Sequence, residues 1–266
     1  MTQAEKAQRF RELHAGPPIL VLPNAWDVAG ARLFEQAGFP AIATTSAGIA
    51  NALGYPDGER ISRDEMLDMV ARIARAVDVP VTADVEAGYG DPIATAKAVA
   101  AAGAVGMNLE DCMSEDAASL IDLDKQCAMI REIRGLGLPL VVNARTDVFL
   151  AGIGDPETRL QRTIERLSAF QDAGADSLFA PGILDAATIG ALTKAVPGPL
   201  NILATPGMPS LAELEKLGVA RVSTGSGIAR AVLAVMRRIA NDLRAGSVES
   251  MFAEQIPYAE VNGLFK

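Results

Sequence analysis

The feature that most constrains this chain is an alternation. Short apolar runs, bounded by Pro, Gly or charged residues, recur from Ile19 to Gly225. They are "ILVLPN" from Ile19, "AIATTSAG" from Ala41, "PVTADVE" from Pro80 and "VGMNLED" from Val105, then "PLVVNARTD" from Pro139, "SLFAPG" from Ser177, "PLNILATPG" from Pro199 and "ARVSTG" from Ala220. Each is strand-length. Between most of them lie stretches with apolar residues at i, i+3 and i+4, such as "DEMLDMVARIARAV" and "ETRLQRTIERLSAFQDAG", the period of an amphipathic helix. Gly38, Gly103, Gly174 and Gly218 stand where such helices must end in a left-handed C-cap. Eight strands alternating with helices predict a closed (β/α)8 barrel of the α/β class. An open doubly wound sheet is the alternative, but no G-x-G-x-x-G follows the first strand.

The chain has 266 residues, half of them hydrophobic, which suits one barrel domain spanning 1–266. A leading helix is expected over about residues 3–14, and the segment of about 226–266 holds more helix than a barrel needs. Its apolar Met251, Phe252, Tyr258 and Leu264 suggest packing against another subunit. A net charge of −9 argues against nucleic acid and anionic membranes as partners. No apolar run reaches the roughly 18 residues of a membrane span. The N-terminus "MTQAEKAQRFRELHAGPP" lacks the apolar core of a secretory signal. Two cysteines, Cys112 and Cys127, make no disulfide framework and fit a reducing compartment, so a cytoplasmic location is expected.

Barrel active sites form at the C-terminal ends of the strands. There the sequence places Thr45-Ser46-Ala47-Gly48, the pair Asp84 and Glu86, Asn108 with Glu110-Asp111, Asn143 with Arg145 and Asp147, and Thr205. A loop adds Asp57 and Glu59. Asp84 and Glu86 are two apart, so on a strand they point to one face. Gly88 and Gly90 then let the chain turn away. Acids crowded into a low-dielectric mouth repel one another, and a divalent cation relieves that. Oxygen donors favour hard Mg²⁺ or Mn²⁺. The single histidine, His14, precedes the first strand, which disfavours zinc. Arg145 is suited to a substrate carboxylate or phosphonate, and Thr45 with the amides of Ser46 and Ala47 to a second oxyanion. Plainer roles stay open: Asp84 as a turn former, Arg145 as a salt-bridge partner of Asp147 or Glu110, "TTSAG" as an ordinary loop. Cys112 invites a nucleophile reading, but no histidine is at hand to activate it.

The combination "TTSAGIANALGYPDGE", "TADVEAGYGD", "GMNLED" and "NARTD" resembles the isocitrate lyase and phosphoenolpyruvate mutase superfamily. It is most similar to the phosphonomutase-like group that includes carboxyvinyl-carboxyphosphonate phosphorylmutase and 2-methylisocitrate lyase. The resemblance implies Asp84 as direct Mg²⁺ ligand, with Asp57, Glu86 and Glu110 holding the metal largely through water. It implies that Arg145 grips the substrate carboxylate, that Thr45, Ser46 and Ala47 bind its carboxylate end, and that Thr205 adds a contact. It further implies making or breaking a C–C or P–C bond beside a 2-oxo or 2-hydroxy acid, with Mg²⁺ stabilising an enolate. A C-terminal helix swapped between subunits, in dimers of dimers, is also implied.

Two departures stand out. Position 86 is Glu where the family usually has Asp. After Glu110-Asp111 the chain reads "EDCMSEDAASLIDLDKQ", without the lyases' Lys-Cys-Gly-His motif or the mutases' gating loop, and without a lysine until Lys125. Tyr55 and Tyr89 are left as candidate proton donors. The expectation is a Mg²⁺-dependent lyase or decarboxylase acting on a small 2-oxo or 2-hydroxy carboxylate. The alternatives are a P–C bond mutase or hydrolase and a non-catalytic metabolite-binding barrel.

Overall fold

The computed structural model describes residues 1–113, 116–183 and 185–265. Ser114 and Glu115, inside the loop that departs from the family pattern, therefore lie outside the described residues.

All eight expected strands are present. The first is broken at Pro23, which has no N–H to donate to a ladder, giving β1 (Leu20–Leu22) and β2 (Asn24–Ala25). The others in the barrel are β3 (Ile42–Thr44), β4 (Val81–Asp84), β5 (Gly106–Glu110), β8 (Val141–Arg145), β9 (Ser177–Phe179), β10 (Leu200–Leu203) and β11 (Arg221–Ser223). Between β5 and β8 a small antiparallel pair intervenes, β6 (Cys112–Met113) with β7 (Asp116–Leu120). The sequence had not announced it, because Asp, Ala and Ser are poor strand formers. The main sheet runs β1-β11-β10-β9-β8-β5-β4-β3-β2 with every neighbour parallel. Its two ends are the consecutive segments β1 and β2, so the first strand pairs with β11 on one side and β3 on the other. The sheet thereby closes as a (β/α)8 barrel.

Helix α1 (Gln3–Leu13) carries a capping box of Thr2 and Glu5. It lays Ala7 and Phe10 under the starts of the strands, against Leu20, Ala41, Val105 and Val141. Gly106 is required here: a Cβ would sit 2.9 Å from the Phe10 ring and 2.8 Å from Thr82 Oγ1. His14 is buried beneath the same plug, its Nδ1 2.8 Å from the Phe10 carbonyl oxygen, and burial pushes its pKa down to about 3.

The outer layer consists of α2 (Val28–Gln36), α3 (Ser46–Ala52), α4 (Arg63–Ala76), α5 (Pro92–Ala101), α6 (Leu123–Gly135), α7 (Arg159–Asp172), α8 (Ala186–Ala195), α9 (Leu211–Lys216) and α10 (Gly227–Arg244). Their apolar stripes meet the outward strand residues in one core that includes Met66, Val70, Ile130, Leu167, Phe170 and Ile189. Each large side chain buried there contributes about 1.5–3 kcal/mol. Two short helices, α11 (Glu249–Phe252) and α12 (Tyr258–Gly263), end the chain.

Candidate active site

The site begins with Asp84, the last residue of β4, where the strand register sets it beside Asn108 of β5. Its Oδ2 accepts hydrogen bonds from the Ser46 amide (3.1 Å) and the Ser46 hydroxyl (2.9 Å), and its Oδ1 accepts one from Asn108 Nδ2 (3.3 Å). Asp84 is only 8% exposed. The "TTSAG" stretch that holds it is not a loop. β3 stops at Thr44, Thr45 caps the next helix by accepting from the Gly48 amide (3.4 Å), and α3 starts at Ser46. The Ser46 amide, expected to bind a substrate oxyanion, is thus engaged by Asp84.

Glu86 is not on a strand face with Asp84. The strand has already ended, and Glu86 takes φ +50° in the turn that follows. Glu59 (φ +55°) and Tyr89 (φ +54°) share that left-handed conformation. The three lock together. Glu86 Oε2 accepts from the Glu59 amide (2.9 Å), Glu59 Oε1 accepts from the Tyr89 amide (2.6 Å), and the Tyr89 hydroxyl donates to Glu86 Oε1 (3.1 Å). Left-handed backbone at a non-glycine residue costs on the order of 1–3 kcal/mol, so these bonds hold a strained turn in place. Gly88 (φ +101°) is obligatory within it, since a Cβ would sit 2.6 Å from Pro92. The hydroxyl of Tyr55 faces Glu65 instead, at 3.3 Å on the exposed side.

Burial, then the charges of Asp57 and Asp84, push the Glu86 carboxyl up from 4.5 to about 7. Asp57, at the rim of the cavity, is raised first by desolvation and then by the charge of Asp84. Because the folded protein holds the Glu86 proton more tightly than the unfolded chain does, this group's stabilisation is complete below pH 4.5 and lost as pH rises towards about 7. Thermal melts in EDTA should show Glu86→Gln gaining on the native protein across that window. A pH-independent difference between the two would refute the assignment.

Arg145, at the end of β8, is held on three sides. Its Nε and Nη2 donate to the two oxygens of Asp147 (2.6 and 2.8 Å), and its Nη1 lies 2.8 Å from Glu110 Oε2. The guanidinium also stacks 5.7 Å from the centre of the Phe179 ring. The salt-bridge role left open from sequence is the one seen. Burial raises the Glu110 carboxyl well above its ordinary value, with Arg145 pulling the other way. The neighbouring Asp111, which had been grouped with Glu110 as a mouth acid, is fully buried. It accepts from Arg166 Nε (2.6 Å) and from the Asp147 amide (3.0 Å), so its work is structural. Burial and the nearby acids push the Cys112 thiol up to about 11, which makes it a poor nucleophile.

A cavity of about 620 Å³ opens at the C-terminal ends of the strands. It brings together Thr45, Ser46, Ala47, Asp57, Asp84, Arg145 and Thr205, seven of the residues expected from sequence. Glu86, Glu110, Tyr55 and Tyr89 are not in its lining. The two tyrosines fall short because one faces Glu65 and the other is tied to Glu86. Sequence reasoning had missed Asn24, Thr224 and Arg230, which also line the cavity. Asn24 and Thr224 join the first and last strands: Asn24 Oδ1 accepts from the Thr224 amide (2.9 Å) and the Gly225 amide (3.0 Å). The strand-end rule applied to "LPN" and "VSTG" would have found both. Arg230 carried no such signal, because it lies in the first turn of a helix.

Among the described residues, no three His, Cys, Asp or Glu side chains converge as a closed metal cage. The donor set nevertheless fits Mg²⁺, which binds through one or two carboxylates and keeps several waters. Asp84 brings a carboxylate to the cavity wall, and Asp57 and Glu86, both raised by burial and then by neighbouring acids, are groups that a cation would relieve.

The fold and cavity define a (β/α)8 barrel with an acidic, oxygen-rich ligand site at the strand C-termini. The chain belongs to the phosphoenolpyruvate phosphomutase family, whose model matches residues 10–244. It is 38% identical over 254 residues to an uncharacterised protein of Mycobacterium tuberculosis strain H37Rv, covering 95% of this chain and 94% of that one. The 2-methylisocitrate lyase of Bacillus subtilis strain 168 is 29% identical, over 75% of this chain and 67% of that one. The oxaloacetate decarboxylase of Rhodopseudomonas palustris strain CGA009 is 28% identical, over 84% and 78%. Among solved structures, a lyase/mutase candidate from Burkholderia cenocepacia J2315 superposes with a TM-score of 0.91 at 41% identity, covering 99% of this chain and 96% of that one. A phosphonopyruvate hydrolase in complex with oxalate and Mg²⁺ superposes with a TM-score of 0.85 at 26% identity, covering 99% and 95%.

Proposed function

We propose that this protein is a Mg²⁺-dependent carbon–carbon lyase or decarboxylase of a small 2-oxo or 2-hydroxy carboxylate. One observation carries the reading: Asp84 is fixed by three donors at the wall of an open cavity. Asp84 would hold the cation directly, with Asp57, Glu86 and Glu110 supporting it through water. When bound, the cation supplies Lewis-acid polarisation of a substrate oxygen. Ser46 and Asn108 orient the Asp84 oxygens. The locked Glu59–Glu86–Tyr89 turn keeps Glu86 near the site without admitting it to the lining. Decarboxylation of an oxaloacetate-like acid asks for little more. The C–C bond to the departing carboxylate breaks, its electron pair moves into the adjacent 2-oxo group, CO₂ leaves, and the resulting enolate takes a proton from water.

The test is calorimetric titration with oxalate, an enolate mimic, with and without Mg²⁺, followed by assays of pyruvate release from oxaloacetate and 2-methylisocitrate. Mg²⁺-dependent binding together with pyruvate release is expected. Consumption of phosphonopyruvate alone would move the assignment to P–C chemistry, and binding without turnover to a metabolite-binding barrel.

We further infer a cytoplasmic homo-oligomer, with the C-terminal helices exchanged between subunits in dimers of dimers. Among the described residues, no helix is long and apolar enough to cross a membrane. On α10 the apolar residues Val232, Leu233, Val235 and Met236 are 39–59% exposed, a face that calls for a protein partner. A second cavity of about 420 Å³ lies between Val232, Leu233 and Met236 on one side and Trp26 on the other. Light scattering should find an oligomer that Leu233→Lys with Met236→Lys reduces to smaller species. A native monomer at micromolar concentration would rule the assembly out.

A further inference from the structure

The barrel interior holds a charge that the active site has not accounted for. Arg221 opens β11 and is wholly buried. Its side chain points into the barrel, with the guanidinium 5.9 Å from the centre of the Phe10 ring on the plug helix. Its Nε donates to Ser223 Oγ (3.0 Å) and its Nη2 to Asn108 Oδ1 (3.5 Å), while Nη1 is buried without a hydrogen-bond partner. No carboxylate pairs with it among the described residues. Taking an unpaired cation out of water works against folding. Burial accordingly pushes the Arg221 pKa down to about 9, and the charge of Asp84 opposes the fall. Packing alone does not explain such a residue, because an apolar side chain of similar length fills the space without that penalty. Residues that break a folding rule in this way concentrate where function requires them.

The hydrogen bonds show what the arginine does. Asn108 lines the active-site cavity and donates from Nδ2 to Asp84 Oδ1 (3.3 Å). Turned over, the same amide would set its oxygen against the carboxylate and repel it. Asn143, whose Nδ2 donates to Asn108 Oδ1 (2.7 Å), does not decide between the two, because its own amide can offer either a donor or an acceptor. A guanidinium can only donate. Beside Arg221, the Asn108 oxygen has to face the arginine, and its N–H groups then face Asp84. Ser223 Oγ accepts from Arg221 Nε and donates to Asn201 Oδ1 (3.2 Å), which keeps the guanidinium in place.

We propose that Arg221 is a positioning residue of the active site: it fixes the Asn108 amide with its donor towards Asp84, and it is retained in the core for that role at the expense of fold stability. This rests on the reading of Asp84 as the cation ligand of a 2-oxo acid site.

The test compares Arg221→Met, which removes the donors, with Arg221→Lys, which keeps a donor-only group, in the full chain. In EDTA, Arg221→Met should melt no more than about 5 °C below the native protein, or above it, since it removes an unpaired buried ion. With Mg²⁺, calorimetric titration should show its oxalate affinity lowered by about 10–100-fold, the scale of a group that orients a metal ligand. The Mg²⁺–oxalate pair is neutral overall, so loss of the charge by itself should move its binding little. Arg221→Lys should recover part of the affinity. Asn108→Ala should lose a similar factor, and Arg221→Met added to it should lower the affinity by less than about threefold more, because both changes act through one contact. In ¹⁵N spectra of the metal-free protein, the Asn108 side-chain N–H signals, identified by their loss in Asn108→Ala, should shift and exchange faster with solvent in Arg221→Met. Failure of Arg221→Met to fold, or a larger fall in its melting point, makes the arginine structural and overturns the proposal. So do an oxalate affinity unchanged in the folded variant, a lysine no better than the methionine, losses that multiply in the double variant, or an unmoved Asn108 signal. Absence of Mg²⁺-dependent oxalate binding by the native protein strikes the 2-oxo acid reading instead, and the melting point and the Asn108 signal then decide the role of Arg221 by themselves.

Discussion

Asp84→Ala should abolish Mg²⁺-dependent oxalate binding and lower kcat/KM by at least about 10³-fold, equivalent to about 4 kcal/mol of lost transition-state stabilisation. The size follows from position. Asp84 ends a central barrel strand, is nearly buried, and has both oxygens aimed by Ser46 and Asn108. Its removal also leaves those donors without their acceptor, a penalty of about 1–3 kcal/mol in fold stability. It relieves Asp57 and Glu86 of a neighbouring negative charge, so both should ionise more readily. Ser46→Ala separates the two roles. It deletes one donor and leaves the carboxylate, so it should weaken metal-dependent binding by about 10–100-fold, the usual scale for a group that orients a ligand. Turnover that persists with Mg²⁺ in a folded Asp84→Ala protein would remove Asp84 from the metal assignment.

The second large effect lies away from the cavity. Arg166→Met should destabilise the protein by about 3–5 kcal/mol, because it strands the Asp111 carboxylate in the interior. Asp111 is fully buried and Arg166 only 6% exposed. For a chain of this size each kcal/mol lowers Tm by about 2–4 °C, so the melting point should fall by about 10 °C. The loss should be pH-dependent. Burial already raises the Asp111 carboxyl and Arg166 opposes that rise, so without the guanidinium the folded-state pKa climbs further above the unfolded one. Stabilisation from such a group is present at low pH and lost as pH rises, so the variant should approach the native protein on acidification. Asp111→Asn combined with Arg166→Met should recover part of the loss. Activity should fall with the single change too. Asp111 accepts from the Asp147 amide, and Asp147 in turn anchors Arg145. A melting point unmoved by Arg166→Met would show the pair to be dispensable.

Much of this molecule is legible in one dimension. Period-2 and period-3.6 patterning is local, so "PVTADVE" and "DEMLDMVARIARAV" announce a strand and a helix without help. The rule that barrel sites form at strand C-termini then converts those segments into a short list of polar residues, and seven of them meet at the cavity. The reading went astray where a boundary moved by one or two residues. Had β4 continued to Glu86, two acids would share a face. It stops at Asp84, and a left-handed turn sends Glu86 to Glu59 and Tyr89 instead. "TTSAG" similarly becomes a helix start, turning the Ser46 amide towards Asp84.

The sequence by itself determined the barrel, the family and the identity of the acidic strand end at Asp84. Those follow from periodicity, from turn residues and from motifs short enough to be read along the chain. Only the tertiary structure decided which charges are already paired and which remain available. Arg145 and Arg166 look alike in sequence, as do Glu110 and Asp111. Folding ties Arg145 to Glu110 and Asp147, and Arg166 to Asp111, while Arg230 is left facing the cavity. The reason is physical: a charge's role is set by the burial around it and by the partner within about 4 Å, and in a barrel those partners come from strands and helices far apart in the chain.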